Sequence, residues 1–263
     1  MPSGGRELRV ERATVAFPIS AEDEIVALEN VSLRLPPSRI VSLVGPSGCG
    51  KTTVLRLVAG FMRPTRGRVV LGDSEVTAPG PDRGVVFQQP TLFPWLNVLD
   101  NVILAPKLRG VAASSYAPEA ARYLEAVGLA GTERQYPYQL SGGMRQRLQI
   151  ARVLINAPDL LLMDEPFGAL DFQTRLVMQE LVLALWETYR PGVLFITHDV
   201  DEAIFLSDTV YVMAAKPGRI LEAIEIPFDR PRSYQELTSS REFIDLRLEI
   251  LALLGHRSGR RPA

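Results

Sequence analysis

A glycine-rich segment at residues 45–53, GPSGCGKTT, contains the residue types that bind the phosphate chain of a nucleotide. It follows the apolar run IVSLV, precedes the helical pattern TTVLRLVAG, and matches the spacing G-x-x-x-x-G-K-[ST]. Glycines in such a loop let backbone N–H groups point at the β-phosphate. Lys51 can then reach the β- and γ-phosphate oxygens, and Thr52 can offer its hydroxyl to Mg²⁺. The segment therefore predicts a nucleotide-phosphate site between a strand and a helix.

A second anion-binding pattern occurs at residues 140–152, LSGGMRQRLQIAR. Ser141 is placed to cap the helix that follows, while Gly142 and Gly143 leave backbone N–H groups uncovered in its first turn. The helix dipole adds positive potential at the same end. Because a nucleotide has one chain of phosphates, the second pattern needs its own explanation.

Two acidic residues end the apolar run LLLMDE at residues 160–165. Adjacent ionised carboxylates are costly at the end of a buried strand unless a cation lies beside them, and Mg²⁺ held by nucleotide phosphates supplies one. Asp164 is then the acid on the metal side, and Glu165 is the candidate general base for water. Two acids at a strand end are common, so this interpretation depends on the phosphate-binding segment.

Two further polar residues end apolar runs. His198 follows the apolar part of VLFITHD, and Gln88 ends GVVFQ. A histidine at a strand end is commonly structural or solvated, but at the sheet edge that holds the phosphate site it could contact a γ-phosphate. The amide of Gln88 can reach water or a metal ion. Neither residue is assigned a function on its own pattern.

Composition limits the classes of partner. The 263 residues are 46% hydrophobic and 22% charged, with a formal net charge of -1 and a pI of about 6.2. No overall field therefore draws the chain to nucleic acid or to an anionic membrane. No window approaches the roughly 18 consecutive apolar residues of a membrane-spanning helix, and the N-terminus lacks the apolar core of a signal peptide. Any membrane contact is expected to be peripheral.

The single cysteine, Cys49, lies inside the glycine-rich segment. It cannot form an internal disulfide, which favours a reducing cytoplasm. We interpret it as a small residue at a variable position rather than as a redox group. We expect alkylation of its thiol to block nucleotide binding, and bound nucleotide to protect it.

Hydrophobic periodicity predicts an α/β fold. The first forty residues alternate apolar and polar positions, which is typical of antiparallel strands. The runs IVSLVG, GVVFQ, LLLMDE and VLFITHD are nearly continuous and predict strands buried on both faces. Between Gln88 and about Asn156 helical patterns replace them. A later helix, RLVMQELVLALWETY, is expected to face the core with Val177, Leu181 and Leu185.

The order of these motifs resembles that of the ATP-binding subunits of ABC transporters, over nearly the whole chain. The resemblance implies a P-loop (RecA-like) ABC nucleotide-binding domain with an antiparallel β subdomain and an inserted helical subdomain. It implies an ATP-binding domain over residues 1–230, with the helical subdomain at about 89–156. Residues 231–263 then form a short C-terminal helical extension and a mobile tail. The implied activity is ATP hydrolysis, with ATP and Mg²⁺ bound.

The resemblance also implies a role for each motif residue. The Walker A loop is Gly45, Pro46, Ser47, Gly48, Cys49, Gly50, Lys51, Thr52 and Thr53; the Q-loop is Gln88; the signature motif begins Leu140, Ser141, Gly142, Gly143; Walker B is Leu160 through Asp164; the D-loop is Gly168 through Asp171; and the H-loop is His198. The catalytic set is Glu165, His198 and Gln88. Thr52, Gln88 and Asp164 are assigned to Mg²⁺, and Asp171 to the nucleotide site.

Phe17 resembles the aromatic residue that stacks on adenine in this family. The stretch PISAEDEI lengthens the turn after it, and a core phenylalanine is an equal alternative. The chain departs from the family pattern at Met144, where glutamine is frequent, and at Met163, where leucine is usual. Neither position supplies a group that the chemistry needs, so we expect a competent ATPase.

The family resemblance implies several partners. Two copies pack head to tail, so that each signature motif completes the nucleotide site of the other copy, which would explain the second anion-binding pattern. Integral membrane permease subunits are expected at the cytoplasmic face of the cell membrane, with a periplasmic or extracellular solute-binding protein beyond them and no nucleic acid. Phe93, Pro94 and Trp95 either pack the helical segment or line an exposed groove for a permease helix.

Within this family, the stretches DRGVVFQQPTLFPW and KPGRILEAIEIPFDRPRS resemble the nitrate/sulfonate/taurine importer branch, and especially taurine and aliphatic sulfonate subunits. The substrate class implied is a small anionic solute. A soluble ABC-type ATPase in a non-transport process is the alternative. A P-loop kinase is a further one, although it would have no use for LSGG.

Overall fold

The computed structural model describes residues 5–20 and 23–255. In chain order its elements are β1 (Leu8–Pro18), β2 (Glu24–Leu35), β3 (Ile40–Val44), α1 (Lys51–Ala59), β4 (Arg66–Leu71), β5 (Ser74–Glu75), β6 (Arg83–Val86), α2 (Val98–Leu108), α3 (Ala113–Ala126), a 3-10 turn (Pro137–Gln139), α4 (Gly142–Leu154), β7 (Leu160–Asp164), α5 (Phe172–Tyr189), β8 (Gly192–Thr197), α6 (Val200–Leu206), β9 (Thr209–Ala214), β10 (Arg219–Glu225), α7 (Tyr234–Thr238) and α8 (Arg241–Gly255). The predicted α/β class is confirmed.

The chain folds into two compact units. Unit 1 combines the chain up to Gly80 with the chain from Gly192 onwards, and unit 2 is Pro81–Pro191. The helical segment predicted for residues 89–156 therefore lies inside a larger unit, which also contains β6, β7 and α5.

Unit 1 contains an antiparallel sheet with the strand order β2-β1-β4-β5. Leu8 and Val10 of β1 are buried, whereas Arg9 between them points to the other face, as the alternating pattern predicts. Leu8 lies opposite Leu35 of β2 and also opposite Leu71 of β4, so the three strands bury one shared apolar face.

Parallel strands form the second sheet region of unit 1. β3 lies between β8 and β9 and is parallel to both, while β10 is antiparallel to β9. Every residue of β3 and of β8 is buried, as the continuous apolar runs predict. Val44, the last residue of β3, lies opposite Thr197, the last residue of β8. The segments that follow the two strands therefore leave the same edge at the same level.

Unit 2 contains one pair of parallel strands whose ends also lie at nearly the same level. β6 and β7 are parallel, and Val86 at the end of β6 lies opposite Met163 of β7. Helices α2, α3 and α4 contact one another, and α4 also contacts α5. The residues that follow β6 and β7 consequently emerge side by side.

The expectation for the buried face of α5 is confirmed at only one of its three positions. Val177 is 49% exposed and Leu181 is only partly buried, whereas Leu185 is buried as predicted. Met178, Val182 and Trp186 form the buried face instead. Apolar residues surround most of this helix, so the periodicity alone does not select the residues that face the core.

The C-terminal extension contains α7 and α8. Phe243 and Ile250 of α8 are fully buried in a cluster with Ile204 of α6 and Val212 of β9. The extension is thus packed onto α6 and β9 of the same unit through its apolar residues. Residues 256–263, for which we expect a mobile tail, lie outside the described residues.

Within the part of the chain that the structure describes, no helix is both long enough and apolar enough to cross a membrane.

Candidate active site

The Walker A loop joins β3 to α1 in unit 1. Gly48 and Gly50 have φ angles of 76° and 100°, which lie in the left-handed region that side chains disfavour. The N–H of Val54 donates to the carbonyl of Gly50 at 2.9 Å, so the helix starts directly from the loop. A Cβ at Gly48 would meet no other atom within 4 Å, which leaves this side of the loop open to a ligand.

Lys51 lies across this loop. Its ammonium donates to the carbonyl of Gly45 at 2.8 Å and to that of Pro46 at 3.3 Å. The side chain is 5% exposed. The cation is therefore already inside the loop, where it can interact with phosphate oxygens.

Side chains packed closely against the Walker A loop fix its backbone. A Cβ at Gly45 would lie 2.6 Å from the sulfur of Cys49, and one at Gly50 would lie 2.5 Å from a methyl group of Leu28. Cys49 is 1% exposed, so its side chain is buried beneath the loop. Cys49 thus packs against the loop, and the expectation that its alkylation blocks nucleotide binding and that bound nucleotide protects it stays a prediction.

The hairpin between β9 and β10 also supports the Walker A loop. Gly218 donates its N–H to the carbonyl of Ala27 at 3.0 Å and accepts from the N–H of Glu29 at 2.9 Å. A Cβ at Gly218 would lie 2.1 Å from the carbonyl oxygen of Cys49. Sequence reasoning missed this residue, since a glycine in KPGR indicates only a turn.

His198 lies at the sheet edge that the sequence predicts. It follows β8 and is exposed, and the register of Val44 with Thr197 brings it to the same edge as the Walker A loop. The N–H of Asp199 donates to the hydroxyl of Thr197 at 3.0 Å, which fixes the chain on both sides of the histidine.

Phe17 lies near the end of β1, opposite Ile25 of β2. Its side chain is 47% exposed, so the alternative of a core phenylalanine is wrong. An exposed ring is available to stack on a base, and that role remains a prediction.

Unit 2 brings Gln88 and Glu165 together. Both follow the paired ends of β6 and β7, and a Cβ at Gly168 would lie 3.2 Å from the amide nitrogen of Gln88 and 3.5 Å from the carbonyl oxygen of Glu165. Glu165 has a φ of 45°, a strained value for a residue with a side chain. Asp164 ends β7 immediately before it. Strain of this kind concentrates at functional sites, as expected for a candidate base.

Two helix N-termini lie side by side in unit 2. Ser141 accepts from the N–H of Met144 at 3.2 Å and caps α4, as predicted, while Asp171 accepts from the N–H of Thr174 at 3.0 Å and caps α5. A Cβ at Gly143 would lie 3.0 Å from the methyl group of Thr174. Hydrogen bonds from Thr174 hold the pKa of the Asp171 carboxyl below its usual value.

Gly142 has no steric reason within the chain to be a glycine. It is exposed and its φ is not positive, and no other atom of the described residues lies within 4 Å of where its Cβ would stand. The described chain therefore leaves this helix N-terminus sterically open at Gly142.

The segment after Gln88 presents an exposed tryptophan. Trp95 is 71% exposed, with its ring centroid 5.6 Å from that of Phe93, so the alternative that Trp95 packs the helical segment is wrong. Asn101, which is fully buried, holds this segment: its amide donates to the carbonyls of Phe93, Leu96 and Asn97 and accepts from the N–H of Phe93. Arg152 adds two hydrogen bonds to Thr91. The sequence contained no local signal for either residue.

The family model described as ABC transporter matches residues 28–168, just over half of the chain. This match and the geometry above define the class: the chain belongs to the ABC transporter family, whose ATP-binding cassettes hydrolyse ATP to drive transport.

The chain is similar to curated ATP-binding proteins over nearly its full length. It is 47% identical to the uncharacterized ABC transporter ATP-binding protein MJ0412 of Methanocaldococcus jannaschii, covering 94% of this chain and 91% of that protein. It is 46% identical to the taurine import ATP-binding protein TauB of Chromobacterium violaceum, covering 93% and 94% respectively.

A solved structure with the same fold is the ATP-binding cassette MJ0796, described as a dimeric post-hydrolysis state bound to ADP and Pi. The match has a TM-score of 0.72 and 29% identity, and covers 84% of this chain and 100% of that one.

The packing of Gly218 predicts a specific defect. In Gly218→Ala, the added methyl group would displace the carbonyl of Cys49 and with it the Walker A loop. Overpacking of this kind costs about 1–3 kcal/mol, so ATP affinity should fall by about 5- to 150-fold. Titration with a non-hydrolysable ATP analogue measures the change. Gly255→Ala, where a Cβ meets no atom within 4 Å, is the control; equal affinities in the two variants would contradict the prediction.

Proposed function

We propose that this chain is the ATP-hydrolysing subunit of an ABC importer for a small anionic solute such as taurine, an alkanesulfonate or nitrate. The observation that supports hydrolysis most directly is the pairing of Gln88 with Glu165 at the ends of β6 and β7. The name of the taurine import relative suggests the solute. The import direction rests on the same similarity.

The proposed chemistry assigns each group a separate task. Lys51 and the loop N–H groups bind the phosphates, and Glu165 accepts a proton from the attacking water. Gln88 orients that water with its amide, and His198 contacts the γ-phosphate. The exposure of His198 and the strained backbone of Glu165 support these roles.

The residues available for Mg²⁺ fit an ion that is shared with the substrate. Among residues 5–20 and 23–255, no group of three His, Cys, Asp or Glu side chains is placed to hold a metal. Thr52, Asp164 and Gln88 carry oxygen atoms of the kind that Mg²⁺ prefers, and nucleotide phosphates would supply further ligands. When bound, Mg²⁺ neutralises charge on the β- and γ-phosphate oxygens.

A head-to-tail dimer is proposed to complete each site. The α4 N-terminus is capped by Ser141 and open at Gly142, so it can receive the γ-phosphate of ATP bound to a second copy. The similar cassette MJ0796 is described as a dimer. In this arrangement ATP joins the two copies, and hydrolysis removes the group that both hold.

Exposed Trp95 is the proposed contact for an integral membrane permease subunit. A large aromatic side chain held out by a rigid loop is typical of an interface residue. The chain would then work peripherally, at the cytoplasmic face of the membrane, with a periplasmic or extracellular solute-binding protein delivering the solute. A soluble ABC-type ATPase is the alternative, and purification of the chain without any membrane permease would favour it.

The role of Glu165 can be tested without the permease. Glu165→Gln should bind ATP normally but lose turnover by about 100-fold or more, since general bases contribute about 10²–10⁴-fold. It should also accumulate an ATP-bound dimer, detectable by size-exclusion chromatography. Glu187→Gln, on the exposed surface of α5, should behave as the wild type. Normal turnover in Glu165→Gln would rule out Glu165 as the base.

Coupling to the permease predicts a separate phenotype for Trp95. Trp95→Ser should leave the ATPase rate of the isolated chain unchanged but weaken permease binding by about tenfold or more, as for an interface tryptophan. Taurine, alkanesulfonate and nitrate uptake into vesicles with the reconstituted complex measures the consequence. Leu248→Ser, which alters an exposed apolar residue of α8, is the control. Full uptake by Trp95→Ser would contradict the proposed contact.

A further inference from the structure

The short helix α6 begins two residues after His198. Asp199 caps it by accepting from the N–H groups of Asp201 and Glu202 at 2.9 and 3.2 Å. Seven residues form only two turns, so the helix has little stability of its own. The carbonyls of its last turn also lack partners within the helix and need donors from elsewhere. Whatever holds α6 therefore influences the position of His198.

Arg232, from the start of the C-terminal extension, supplies those donors. Its guanidinium donates to the carbonyls of Ile204, Phe205 and Ser207 at 3.1, 2.9 and 2.8 Å. It also donates twice to the carbonyl of Phe228, at 3.2 and 2.8 Å. One planar group thus joins the end of α6 to the extension. Lysine could not reproduce this contact, because its ammonium is a point charge without the fork geometry of arginine.

The C-terminal end of α6 favours a positively charged group such as Arg232. Burial, with a smaller contribution from Arg230, lowers the pKa of Arg232 to about 10, so the group remains charged at neutral pH. A cation is favourable at the C-terminal end of a helix, where the dipole is negative. Arg230 contributes there as well, donating to the carbonyl of Leu206 at 2.6 Å.

The first turn of α6 is held by the same extension. Arg247 of α8 forms an ion pair with Asp201 at 2.8 Å. Beneath it, Phe243 and Ile250 of α8 pack with Ala203 and Ile204 of α6 in one buried cluster. Both ends and one face of the helix are therefore fixed by residues that follow Phe228.

We propose that Arg232 and Arg247 are positioning residues for ATP hydrolysis, and that the C-terminal extension holds α6 so that His198 keeps its place at the sheet edge. This inference rests on the proposed contact of His198 with the γ-phosphate. In this proposal the C-terminal extension supports the active site of its own chain. Arg232 bonds to carbonyls of Phe228 and of the end of α6, and Arg247 pairs with Asp201 of α6, so the proposed effect on hydrolysis passes through the histidine.

The first test separates positioning from ATP binding. Arg232→Met should lower kcat by about 10- to 100-fold, the effect of a displacement of about 1 Å in a catalytic group. KM for ATP should change little, since the Walker A loop is untouched. Arg232→Lys should have a higher kcat than Arg232→Met, because lysine keeps the positive charge but lacks the planar set of guanidinium donors. Arg241→Met removes an exposed ion pair with Asp245 on α8 and should match the wild type.

A double-mutant cycle with His198→Ala then tests whether Arg232 affects hydrolysis through His198. If Arg232 acts through His198, Arg232→Met should cause no further loss of kcat in the His198→Ala background. If the double variant instead loses kcat by the product of the two single losses, the positioning role of Arg232 is overturned while the role of His198 stands. A normal kcat in His198→Ala alone would instead overturn the proposed γ-phosphate contact. Arg247→Met serves in the same cycle if thermal unfolding shows that Arg232→Met does not fold.

Discussion

The register of neighbouring parallel strands is the constraint on which the chemistry depends. Val44 ends opposite Thr197 in unit 1, and Val86 lies opposite Met163 in unit 2. Hydrogen bonding across each pair sets the level at which the chain leaves the sheet. A phosphate-binding loop and a histidine follow the first pair, and a glutamine and two acids follow the second. A slip of register in either pair would shift the segments that follow its two strands to different levels.

Close packing then fixes the conformation of the loops that follow these strands. The loop after β3 is fixed by contacts too short for any added carbon at Gly45, Gly50 and Gly218. Glu165 is held in a strained backbone conformation on the other strand pair. Strain and tight packing reduce the movement that a loop could otherwise make, and catalytic groups lose activity quickly when displaced. The helix that follows His198 needs equivalent support, which the C-terminal extension can supply.

The motif residues and the strands that bear them could be predicted from the sequence, because each has a local pattern. Continuous apolar runs indicated β3 and β8, and the cap at Ser141 was visible from its neighbours. Gly218, Asn101 and Arg232 could not be predicted in this way. Their roles arise from contacts with residues far away in the chain, and no spacing rule connects an arginine in DRPR with the carbonyls of a helix. The exposed face of α5 was missed since apolar residues surround that helix.

In the proposed head-to-tail dimer, the open N-terminus of α4 receives nucleotide bound to a second copy, and mixed dimers test this directly. Pairing a Lys51→Ala chain with a Ser141→Ala chain places both lesions in one shared site and leaves the other intact. Pairing a doubly substituted chain with a wild-type chain places one lesion in each site. ATP hydrolysis should therefore persist in the first mixed dimer and be lost in the second. The reverse order would show that each signature motif serves its own chain, and would contradict the shared site.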